Sequence, residues 1–480
     1  MTDEYDVIVI GGGPAGENAA AYAIAGSDRT AAIVERELFG GECSYWACIP
    51  SKALLRPGAV LELGEAMPGV TASGPQVGDV LARRDTFVHN HDDSSQVEWA
   101  KSAGIDPVRG TGRLVGERLV EVDTGDGVKT LRARHAVVLA TGTTATIPDI
   151  PGVREALPWT SRDATNLTVV PRRVAIVGGG VVACEAATWL AELGAEEVTL
   201  LVRGDRLLPR NEPFASAMVL QGLLETGIVK VRFHTEPKLV SRRDPEDTGV
   251  GHIHGGPVTL VLDDGELEVD ELVVATGRTP ATSSLGLDTV GLPAGYIAVD
   301  DQLTARDVPG DWLYAVGDVN HRVALTHMGK YQARVCGDVI AARAEGRPLD
   351  GMRFTASADH QQVPQVVYTA PELAAVGLTE HEARTAGHAV DTVELAIEVA
   401  GSALSRDNFH GRAKLVVDTA ADRILGATFV GPDMGEQLHA ATIAVVGQVP
   451  MDTLWNAVPA FPTVSEFWLR LLESWRQKTI

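Results

Sequence analysis

Two segments of the chain share one pattern of hydrophobic and polar positions. Residues 6–10 (DVIVI) and residues 174–177 (VAIV) are short β-branched runs that end in glycines and pass into Ala-rich stretches. This pattern predicts a strand, a turn and a helix in each segment. Each segment also has a later apolar run ending in Ala-Thr-Gly, at residues 136–142 and 272–277, which predicts a partner strand. The chain is therefore predicted to contain two dinucleotide-binding units.

The pattern changes after about residue 346. Alternating runs at residues 365–368 and 413–417 predict an antiparallel sheet, and helices are expected at 435–447 and 466–477. Because this region has no glycine-rich nucleotide loop, it is expected to form an interface. A stretch rich in Pro and Thr, residues 148–168, is interpreted as a linker between the two dinucleotide-binding units.

Charge and composition narrow the classes of function. The 480 residues include 41 Lys and Arg against 64 Asp and Glu, a net charge of −23. This charge disfavours binding to nucleic-acid phosphates or to an anionic membrane. No apolar run reaches the roughly 18 residues of a membrane helix, and the N-terminus lacks a signal-peptide pattern. Four cysteines cannot form a structural disulfide framework in a chain of this length. We therefore predict a cytoplasmic enzyme that binds neither nucleic acid nor membrane.

The first glycine-rich turn has the spacing of a pyrophosphate loop. Gly11, Gly13 and Gly16 would permit a tight turn, close approach of the phosphates and close packing of helix on strand. The helix N-terminus would stabilise the phosphates through its free N–H groups and its dipole. Glu35 ends the next apolar run, 24 positions after Gly11, where a carboxylate can accept hydrogen bonds from ribose hydroxyls. The alternative is a glycine turn with a purely structural role.

The second glycine-rich turn, residues 178–183 (GGGVVA), lacks the corresponding acid. Val202 occupies the position 24 residues after the first glycine, and Arg203 and Arg206 follow. A missing carboxylate beside arginines favours the 2′-phosphate of NADPH over NADH. The alternative is that both arginines are solvated surface residues.

Cys43 and Cys48 form the most informative pair in the sequence. In a regular helix they would be separated by about 7.5 Å of rise and about 140° of rotation, too far for a disulfide. A bond would need a distorted start of the helix, which Gly40-Gly41 can supply. Zinc is disfavoured because Cys184 and Cys336 are distant in sequence and no CxxC pair exists. Two unrelated buried thiols are an alternative, but a redox-active pair is the preferred interpretation.

Residues 40–52 (GGECSYWACIPSK) resemble the disulfide segment of the FAD-dependent pyridine nucleotide–disulfide oxidoreductases. This family includes dihydrolipoamide dehydrogenase, glutathione reductase and mercuric reductase. The resemblance covers almost the whole chain, including Gly317-Asp318 and residues 461–466 (FPTVSE). It implies an α/β fold with two Rossmann-like dinucleotide-binding domains, for FAD and NAD(P), plus a C-terminal α+β dimerisation domain, and hence a homodimer. The implied boundaries are 1–154 with 279–345 for FAD, 155–278 for NAD(P)H and 346–480 for dimerisation.

The resemblance also implies roles for individual residues. Cys48 would be the flavin-proximal thiol and Cys43 the interchange thiol that meets the substrate. Lys52 would lie near the reacting flavin nitrogen, paired with Glu185, and Asp318 would bind the ribityl chain. The predicted cofactor-binding residues are Gly11, Gly13, Pro14, Ala15, Gly16, Glu35, Arg36, Gly41, Glu42, Cys43, Cys48, Lys52, Gly112, Ala140, Thr141, Gly142, Gly178, Gly180, Val181, Val182, Glu185, Val202, Arg203, Arg206, Gly277, Arg278, Gly317, Asp318, Ala324, Leu325, Thr326 and His327.

The sequence departs from the family at the C-terminal motif. Thiol-reducing members begin this motif with His-Pro-Thr, and that His is the acid–base for the interchange thiol. Here Phe461 occupies the position, while its usual partner Glu466 remains. The disulfide segment is also unusual in carrying the bulky pair Tyr45-Trp46, and the C-terminal cysteine pair of mercuric reductase is absent. These departures count against dihydrolipoamide and glutathione reductase activity.

We predict that electrons pass from NADPH through FAD to the Cys43–Cys48 pair, and then to a small acceptor such as a quinone or a metal ion. One alternative is a disulfide substrate served by another acid–base, for which His439 is a candidate with a structural role preferred. The other is an oxidant-sensing protein with little turnover. Residues 89–93 (HNHDD) are interpreted as a solvated face, so no resident metal is predicted.

Overall fold

The apolar runs and glycine turns of the sequence become alternating strands and helices in the computed structural model, which describes residues 2–479. The helices are α1 (Pro14–Ile24), α2 (Gly41–Tyr45), α3 (Cys48–Glu65), α4 (Val77–Phe87), α5 (Ser94–Ser102), α6 (Ser161–Thr165), α7 (Val181–Glu192), α8 (Pro213–Glu225), α9 (Thr326–Ala344), α10 (Glu380–Thr385), α11 (Ala400–Ser405), α12 (Met434–Val446), α13 (Met451–Trp455) and α14 (Phe467–Thr479). The strands are β1 (Thr2–Ile10), β2 (Ala31–Glu35), β3 (Ile105–Arg109), β4 (Thr111–Gly116), β5 (Leu119–Asp123), β6 (Val128–Leu139), β7 (Thr143–Ala145), β8 (Arg173–Val177), β9 (Glu197–Val202), β10 (Val229–Phe233), β11 (Leu239–Arg242), β12 (Val258–Leu262), β13 (Gly265–Val269), β14 (Glu271–Val274), β15 (Arg278–Pro280), β16 (Leu313–Ala315), β17 (Pro364–Val367), β18 (Glu372–Gly377), β19 (Val390–Ala396), β20 (Arg412–Asp418) and β21 (Arg423–Gly431).

The first of two compact units comprises Met1–Pro50, Asp85–Thr146 and Gly277–His360. Its sheet has the order β3-β2-β1-β6-β5-β4, with β16 also paired to β6. Strands β1, β2, β3, β6 and β16 run parallel, and β4 and β5 are antiparallel additions. The central parallel segments, residues 7–10, 31–34, 136–139 and 313–315, are buried throughout, as expected when helices cover both faces of a sheet, whereas the edge strand β3 is partly exposed. This is the predicted arrangement for a dinucleotide-binding fold.

The second unit comprises Ser51–Arg84, Ile147–Thr276 and Gln361–Ile480. It contains a parallel sheet of order β10-β9-β8-β14, a small antiparallel sheet β11-β12-β13, and a five-stranded antiparallel sheet β17-β18-β21-β20-β19. The antiparallel C-terminal sheet and the two C-terminal helices are as the sequence predicts. The α/β fold class is therefore confirmed, and the division into three domains stays a prediction.

Helix α3 continues through a proline in its interior. Pro57 has no N–H, so the Ala53 carbonyl loses its donor within the helix. The Arg83 guanidinium donates to that carbonyl instead, at 3.0 Å. The replacement donor satisfies the freed carbonyl, which lets α3 run unbroken beyond its first turns, where Lys52 lies.

The predicted linker is in part a packed segment. Trp159 is fully buried, and its indole Nε1 donates to the His252 carbonyl at 2.7 Å. Thr160 and Asp163 form a capping box that starts α6 directly afterwards. The linker prediction is therefore wrong for this part, because a buried tryptophan anchors it to the second unit. None of the helices that the structure describes is both long and apolar enough to cross a bilayer.

Candidate active site

The first glycine-rich turn joins β1 to α1 in the tight form that its sequence predicts. Gly11 has a φ of +109°, and a Cβ at this position would lie 2.3 Å from the Ala140 carbonyl oxygen. A Cβ at Gly16 would lie 1.9 Å from the carbonyl oxygen of Gly11. Neither position can therefore hold a side chain. The Gly12 N–H donates to Glu35 Oε2 at 2.7 Å, which holds this carboxylate at the turn.

The surroundings of this turn fit a dinucleotide. The N-cap of α1 is Gly13, so no side chain caps the first N–H groups of the helix. The space in front of Gly13 is open, since a Cβ there would come no closer than 3.9 Å to Gly41 Cα. Thr141 Oγ1 is buried, and no described residue hydrogen bonds to it. A pyrophosphate at the helix N-terminus and a further polar group of the ligand would satisfy these atoms.

Asp318 lies in a polar network at the C-terminal end of the sheet that contains β1. The Thr143 hydroxyl donates to Asp318 Oδ2 at 2.8 Å, and Arg278 Nε donates to Thr143 Oγ1 at 2.6 Å. The Arg278 guanidinium also lies 3.9 Å from Asp318 and 3.5 Å from Glu42. Gly317, with a φ of +76°, forms the turn that directs Asp318 into this network. The structure thus places Gly317, Asp318, Glu42 and Arg278 close together.

The two thiols lie on either side of a helix break. Helix α2 ends at Tyr45 and α3 begins at Cys48, so Cys43 and Cys48 belong to different helices and their thiols hydrogen bond to each other. Both are free thiols, and Cys48 Sγ also lies 3.2 Å from Thr326 Oγ1. The hydrogen bond to Cys48 and burial raise the pKa of the Cys43 thiol, whereas the Thr326 hydroxyl and the Lys330 ammonium act to lower it. The break supplies the distortion that a disulfide at this spacing requires.

The two bulky residues of the disulfide segment, Tyr45 and Trp46, pack against His91 in the segment of residues 89–93. Trp46 stacks on His91 with ring centroids 4.4 Å apart and an interplanar angle of 24°. Tyr45 is buried beside the same imidazole, and burial raises the pKa of Tyr45 to about 12. His91 thus packs on an aromatic ring. No group of three or more metal-ligating side chains occurs among the residues that the structure describes.

Lys52 and Glu185 form an ion pair in the second unit. Lys52 Nζ lies 2.7 Å from Glu185 Oε2, and Glu185 is 3% exposed. The backbone N–H of Tyr368 donates to Glu185 Oε1 at 3.0 Å, and the Lys52 ammonium lies 4.7 Å from the centre of the Tyr368 ring. The carboxylate and the ring hold the lysine on two sides, which restricts its position.

The second glycine-rich turn joins β8 to α7. Gly178 has a φ of +139°, and a Cβ there would lie 2.4 Å from the carbonyl oxygen of Ala275, the residue after β14. Val202 is buried against this turn, while Arg203 is exposed. Arg206 donates to the Pro209 carbonyl. The structure thus brings the turn and the end of β9 together, with Arg203 directly after the strand. Gly180, Val181 and Val182 form the start of α7.

The C-terminal motif presents an aromatic ring and a buried acid. Phe461 is 75% exposed within this chain, and Glu466 is 9% exposed just before α14. Glu466 Oε2 is buried, and no described residue hydrogen bonds to it. Arg470 lies 3.5 Å from the other oxygen, Oε1. His439, the alternative base, is exposed on α12. The motif therefore keeps the Glu466 carboxylate, whose Oε2 can accept a hydrogen bond, but it has no imidazole at position 461.

Several contacts of the site are not predicted from the sequence. The backbone N–H of Tyr368 donates to Glu185, Thr326 contacts Cys48, and Lys330 interacts electrostatically with Cys43 and Glu17. A signal for Lys330 exists, because it follows Thr326 by four positions and such residues share one face of a helix. Tyr368 has no comparable signal, because its contact with Glu185 depends on tertiary packing.

These features define a flavoprotein class with two dinucleotide folds and a thiol pair, and comparisons with known proteins agree. The model of the pyridine nucleotide-disulphide oxidoreductase family matches residues 5–333, and that of the family's dimerisation domain matches residues 363–471. The chain is 34% identical to a mercuric reductase of Streptomyces lividans and 32% identical to a dihydrolipoyl dehydrogenase of Haloferax volcanii. Each alignment covers 96% of this chain and 94% of the relative.

Solved structures show the same fold. The Cu(II) complex of an HOCl-induced flavoprotein disulfide reductase from Escherichia coli superposes with a TM-score of 0.81 at 24% identity, over 98% of this chain and 100% of that chain. LpdA from Mycobacterium tuberculosis gives a TM-score of 0.81 at 23% identity, over 99% and 100%.

The chain belongs to the pyridine nucleotide–disulfide oxidoreductase family. Members are FAD-dependent enzymes that use NAD(P)H, so the predicted enzyme class and the cofactors FAD and NAD(P)H are confirmed. The dimerisation-domain match supports the predicted homodimer.

Proposed function

We propose that this protein takes hydride from NADPH and passes electrons through FAD and the Cys43–Cys48 pair to a small acceptor other than a disulfide. The observation that carries the proposal is the C-terminal motif, in which Phe461 stands where a thiol-reducing enzyme needs an acid. A positioned acid that protonates the departing substrate thiolate typically contributes about 10²–10⁴-fold to the rate of such a step. A quinone or a metal ion makes no such demand at the sulfur.

The proposed roles follow the contacts in each unit. When bound, FAD would supply two-electron chemistry between the nicotinamide and the thiol pair. The turn at residues 11–16 would bind its pyrophosphate, Glu35 a ribose, and Asp318 the ribityl chain. Lys52, held by Glu185, would stabilise negative charge near the reacting flavin nitrogen, as the family resemblance implies.

Electrons and protons are conserved when the thiol pair reduces the acceptor. The Cys43 and Cys48 thiols form a disulfide and release two electrons and two protons. A quinone takes up both electrons and both protons to become a hydroquinone. Alternatively, one Hg(II) ion or two Cu(II) ions take up the two electrons, and the protons pass to solvent. The disulfide then returns to two thiols with the two electrons and the proton of the NADPH hydride and one proton from solvent, which leaves NADP⁺. The interaction between the two thiols, which lie on either side of the break from α2 to α3, supports this exchange.

The names of two relatives favour Hg(II) as a candidate among the metal ions. The mercuric reductases of Streptomyces lividans and Bacillus cereus are 34% and 30% identical to this chain. The C-terminal cysteine pair associated with mercuric reductase is absent here, because the last of the four cysteines is Cys336. Metal ions therefore belong in the acceptor test, with quinones as the first expectation.

The test is an anaerobic challenge of the NADPH-reduced protein with separate acceptors. Lipoamide and glutathione disulfide represent disulfides, a benzoquinone and a naphthoquinone represent quinones, and Cu(II) and Hg(II) represent metal ions. We expect a quinone or a metal ion to reoxidise the protein at least about 10-fold faster than either disulfide. Fastest reoxidation by lipoamide would contradict the proposal. Oxidation without repeated turnover by every acceptor would favour an oxidant sensor instead.

A preference for NADPH over NADH is expected from the end of β9. Val202 leaves no carboxylate for the 2′-hydroxyl, and Arg203 lies free of intramolecular ion pairs among the described residues. A charge-assisted contact with the 2′-phosphate is worth roughly 1.5–3 kcal/mol, or about one to two decades in kcat/KM. Arg203→Ala should remove most of this preference. The exposed Arg210→Ala is the matched control, and equal use of NADH by the native protein would contradict the assignment.

A further inference from the structure

The segment of residues 89–93 makes contacts at both ends of α2, the short helix that carries Cys43. Three of its residues are exposed, as expected for the solvated face that the sequence predicts. His91 and Asp93 are half-buried instead, and the contacts with the chain around α2 come from these two side chains.

His91 contacts the C-terminal end of α2. Its imidazole stacks on Trp46, the residue that directly follows α2, with ring centroids 4.4 Å apart. The ring of Tyr45, the last residue of α2, lies 6.3 Å from the same imidazole. Since Trp46 and Ala47 are the whole break between α2 and α3, the stack restrains the chain at this break.

Asp93 contacts the chain that leads into α2. The Phe39 N–H donates to Asp93 Oδ2 at 2.7 Å, and Phe39 lies two positions before the helix begins. Arg109, at the end of β3, donates to the same carboxylate oxygen and to the Glu37 carbonyl. Its guanidinium also lies 4.7 Å from the centre of the Phe39 ring. The carboxylate and the guanidinium thus hold the start of α2 together.

The Asp93 side chain is directed away from the role that its position favours. Asp93 is the N-cap residue of α5, where an aspartate carboxylate ordinarily accepts from the first N–H groups of its own helix. Among the described residues its side chain makes no such capping hydrogen bond and instead accepts from Phe39, 54 positions away. Helix capping therefore does not explain Asp93, whereas holding α2 does.

The backbone of the segment adopts an uncommon conformation. His89, Asn90 and His91 have φ values of +51°, +50° and +61°. None of them is a glycine, and the left-handed region costs free energy for a residue with a side chain, so the surrounding structure must hold it. This turn lets His91 reach one end of α2 while Asp93, two residues later, reaches the other.

We propose that His91 and Asp93 are positioning residues that hold α2 at both ends and so keep Cys43 within bonding reach of Cys48. The proposal rests on the proposed function only in treating the two cysteines as the redox pair. In the disulfide form the S–S bond itself restrains α2. In the dithiol form non-covalent contacts do so, and each of them raises the effective concentration of Cys43 at Cys48. Loss of these contacts should therefore favour the dithiol form.

The experiment measures the equilibrium between the dithiol and disulfide forms of the FAD-loaded protein. The protein is equilibrated anaerobically in mixtures of reduced and oxidised dithiothreitol, quenched with acid, alkylated and mapped by peptide mass. As the Cys43–Cys48 bond forms, the S–S bond of oxidised dithiothreitol breaks, and two electrons and two protons pass to the dithiothreitol sulfurs. We expect His91→Ala and Asp93→Ala each to lower the equilibrium constant for disulfide formation by about 3- to 10-fold.

Conservative variants and matched controls separate positioning from a general loss of stability. His91→Phe keeps an aromatic ring and Asp93→Asn keeps a carbonyl acceptor, so both should recover most of the loss. His89→Ala and Asp92→Ala remove the same side-chain types from exposed positions of the same segment, and His89 shares the left-handed backbone of His91. Both controls should stay within about twofold of native.

A native equilibrium constant in either His91→Ala or Asp93→Ala would overturn the two-ended hold, as would an equal fall in the two controls. If His91→Ala does not fold, Asp93→Ala and His91→Phe still decide the question, because they predict a lowered and a nearly native constant respectively. Since the measurement follows an equilibrium and not the turnover of an acceptor, its outcome is separate from that of the acceptor panel. A disulfide as the preferred acceptor would refute the proposed function and leave the roles of His91 and Asp93 standing.

Discussion

Anaerobic titration of the native protein is expected to consume about four electrons per subunit, whereas Cys48→Ser should consume about two. The flavin accounts for one pair of electrons and the Cys43–Cys48 disulfide for the other, as the family resemblance implies. The hydrogen bond between the two thiols across the break from α2 to α3 supports this pairing. A single remaining thiol cannot form the disulfide, so the second pair of electrons has no acceptor in the variant.

The same substitution should lower turnover by at least about 10²-fold, because it removes the sulfur that we propose exchanges electrons with the flavin. Reduction of the flavin by NADPH should stay within about twofold of native, since this step precedes the proposed transfer of electrons to the thiols. Cys43→Ser should lose turnover to a similar extent but keep a thiolate–flavin absorption band, which Cys48→Ser should lose.

Cys336→Ala is the matched control for both measurements. Cys336 is fully buried in α9, and burial raises the pKa of this thiol, so it is not expected to react. This variant should titrate with about four electrons. Full quinone turnover in Cys48→Ser would show that electrons leave directly from the flavin, and the proposed path through the thiols would be wrong.

The dinucleotide folds could be predicted because their signals are local. A β-branched run, a glycine turn and an Ala-rich stretch lie within about 20 residues, and the strand pairings of β1 with β6 and of β8 with β14 follow from the Ala-Thr-Gly runs. Glu35 lies at the turn because its spacing from Gly11 matches the length of α1 plus the return to β2. Sequence spacing alone contains this information.

The contacts of Lys330, Glu17 and Tyr368 could not be predicted because they depend on tertiary packing. A lysine on a helix is ordinarily solvated, and an acid in the first turn of a helix is ordinarily explained by the helix dipole. Lys330 is indeed exposed on α9, whereas the desolvation of Glu17 by burial depends on how α1 packs in the fold. The packed Trp159 in the predicted linker was missed for the same reason, since its partner His252 is 93 residues away.

The chemistry of the C-terminal motif can be tested by restoring the residue that the family uses. Phe461→His is expected to raise lipoamide reductase activity by about 10²-fold, the lower end of the range for a positioned acid or base. The new imidazole would protonate the departing substrate thiolate. It should also introduce a pH dependence near its ordinary pKa of about 6.5.

Glu466 gives this expectation its structural basis. Its Oε2 is buried and accepts no hydrogen bond from any residue that the structure describes, so it is available to orient an imidazole N–H. Burying an acceptor without a partner costs free energy, and a histidine that satisfies it would be held in place. In the double variant Phe461→His, Glu466→Gln the gain should fall to less than about 10-fold, because a neutral amide orients and stabilises the imidazolium less well.

Phe461→Asn separates acid–base chemistry from polarity. Asparagine opens the site to water and can form hydrogen bonds, but it does not donate a proton to a thiolate at neutral pH. We expect it to change lipoamide turnover by no more than about threefold, and quinone turnover should change little in all three variants. Native lipoamide turnover that already exceeds quinone turnover, together with no gain from Phe461→His, would mean that another group serves as the acid. In that case the aromatic ring at position 461 would be a packing residue of the dimer, and the thiol pair would serve a disulfide substrate after all.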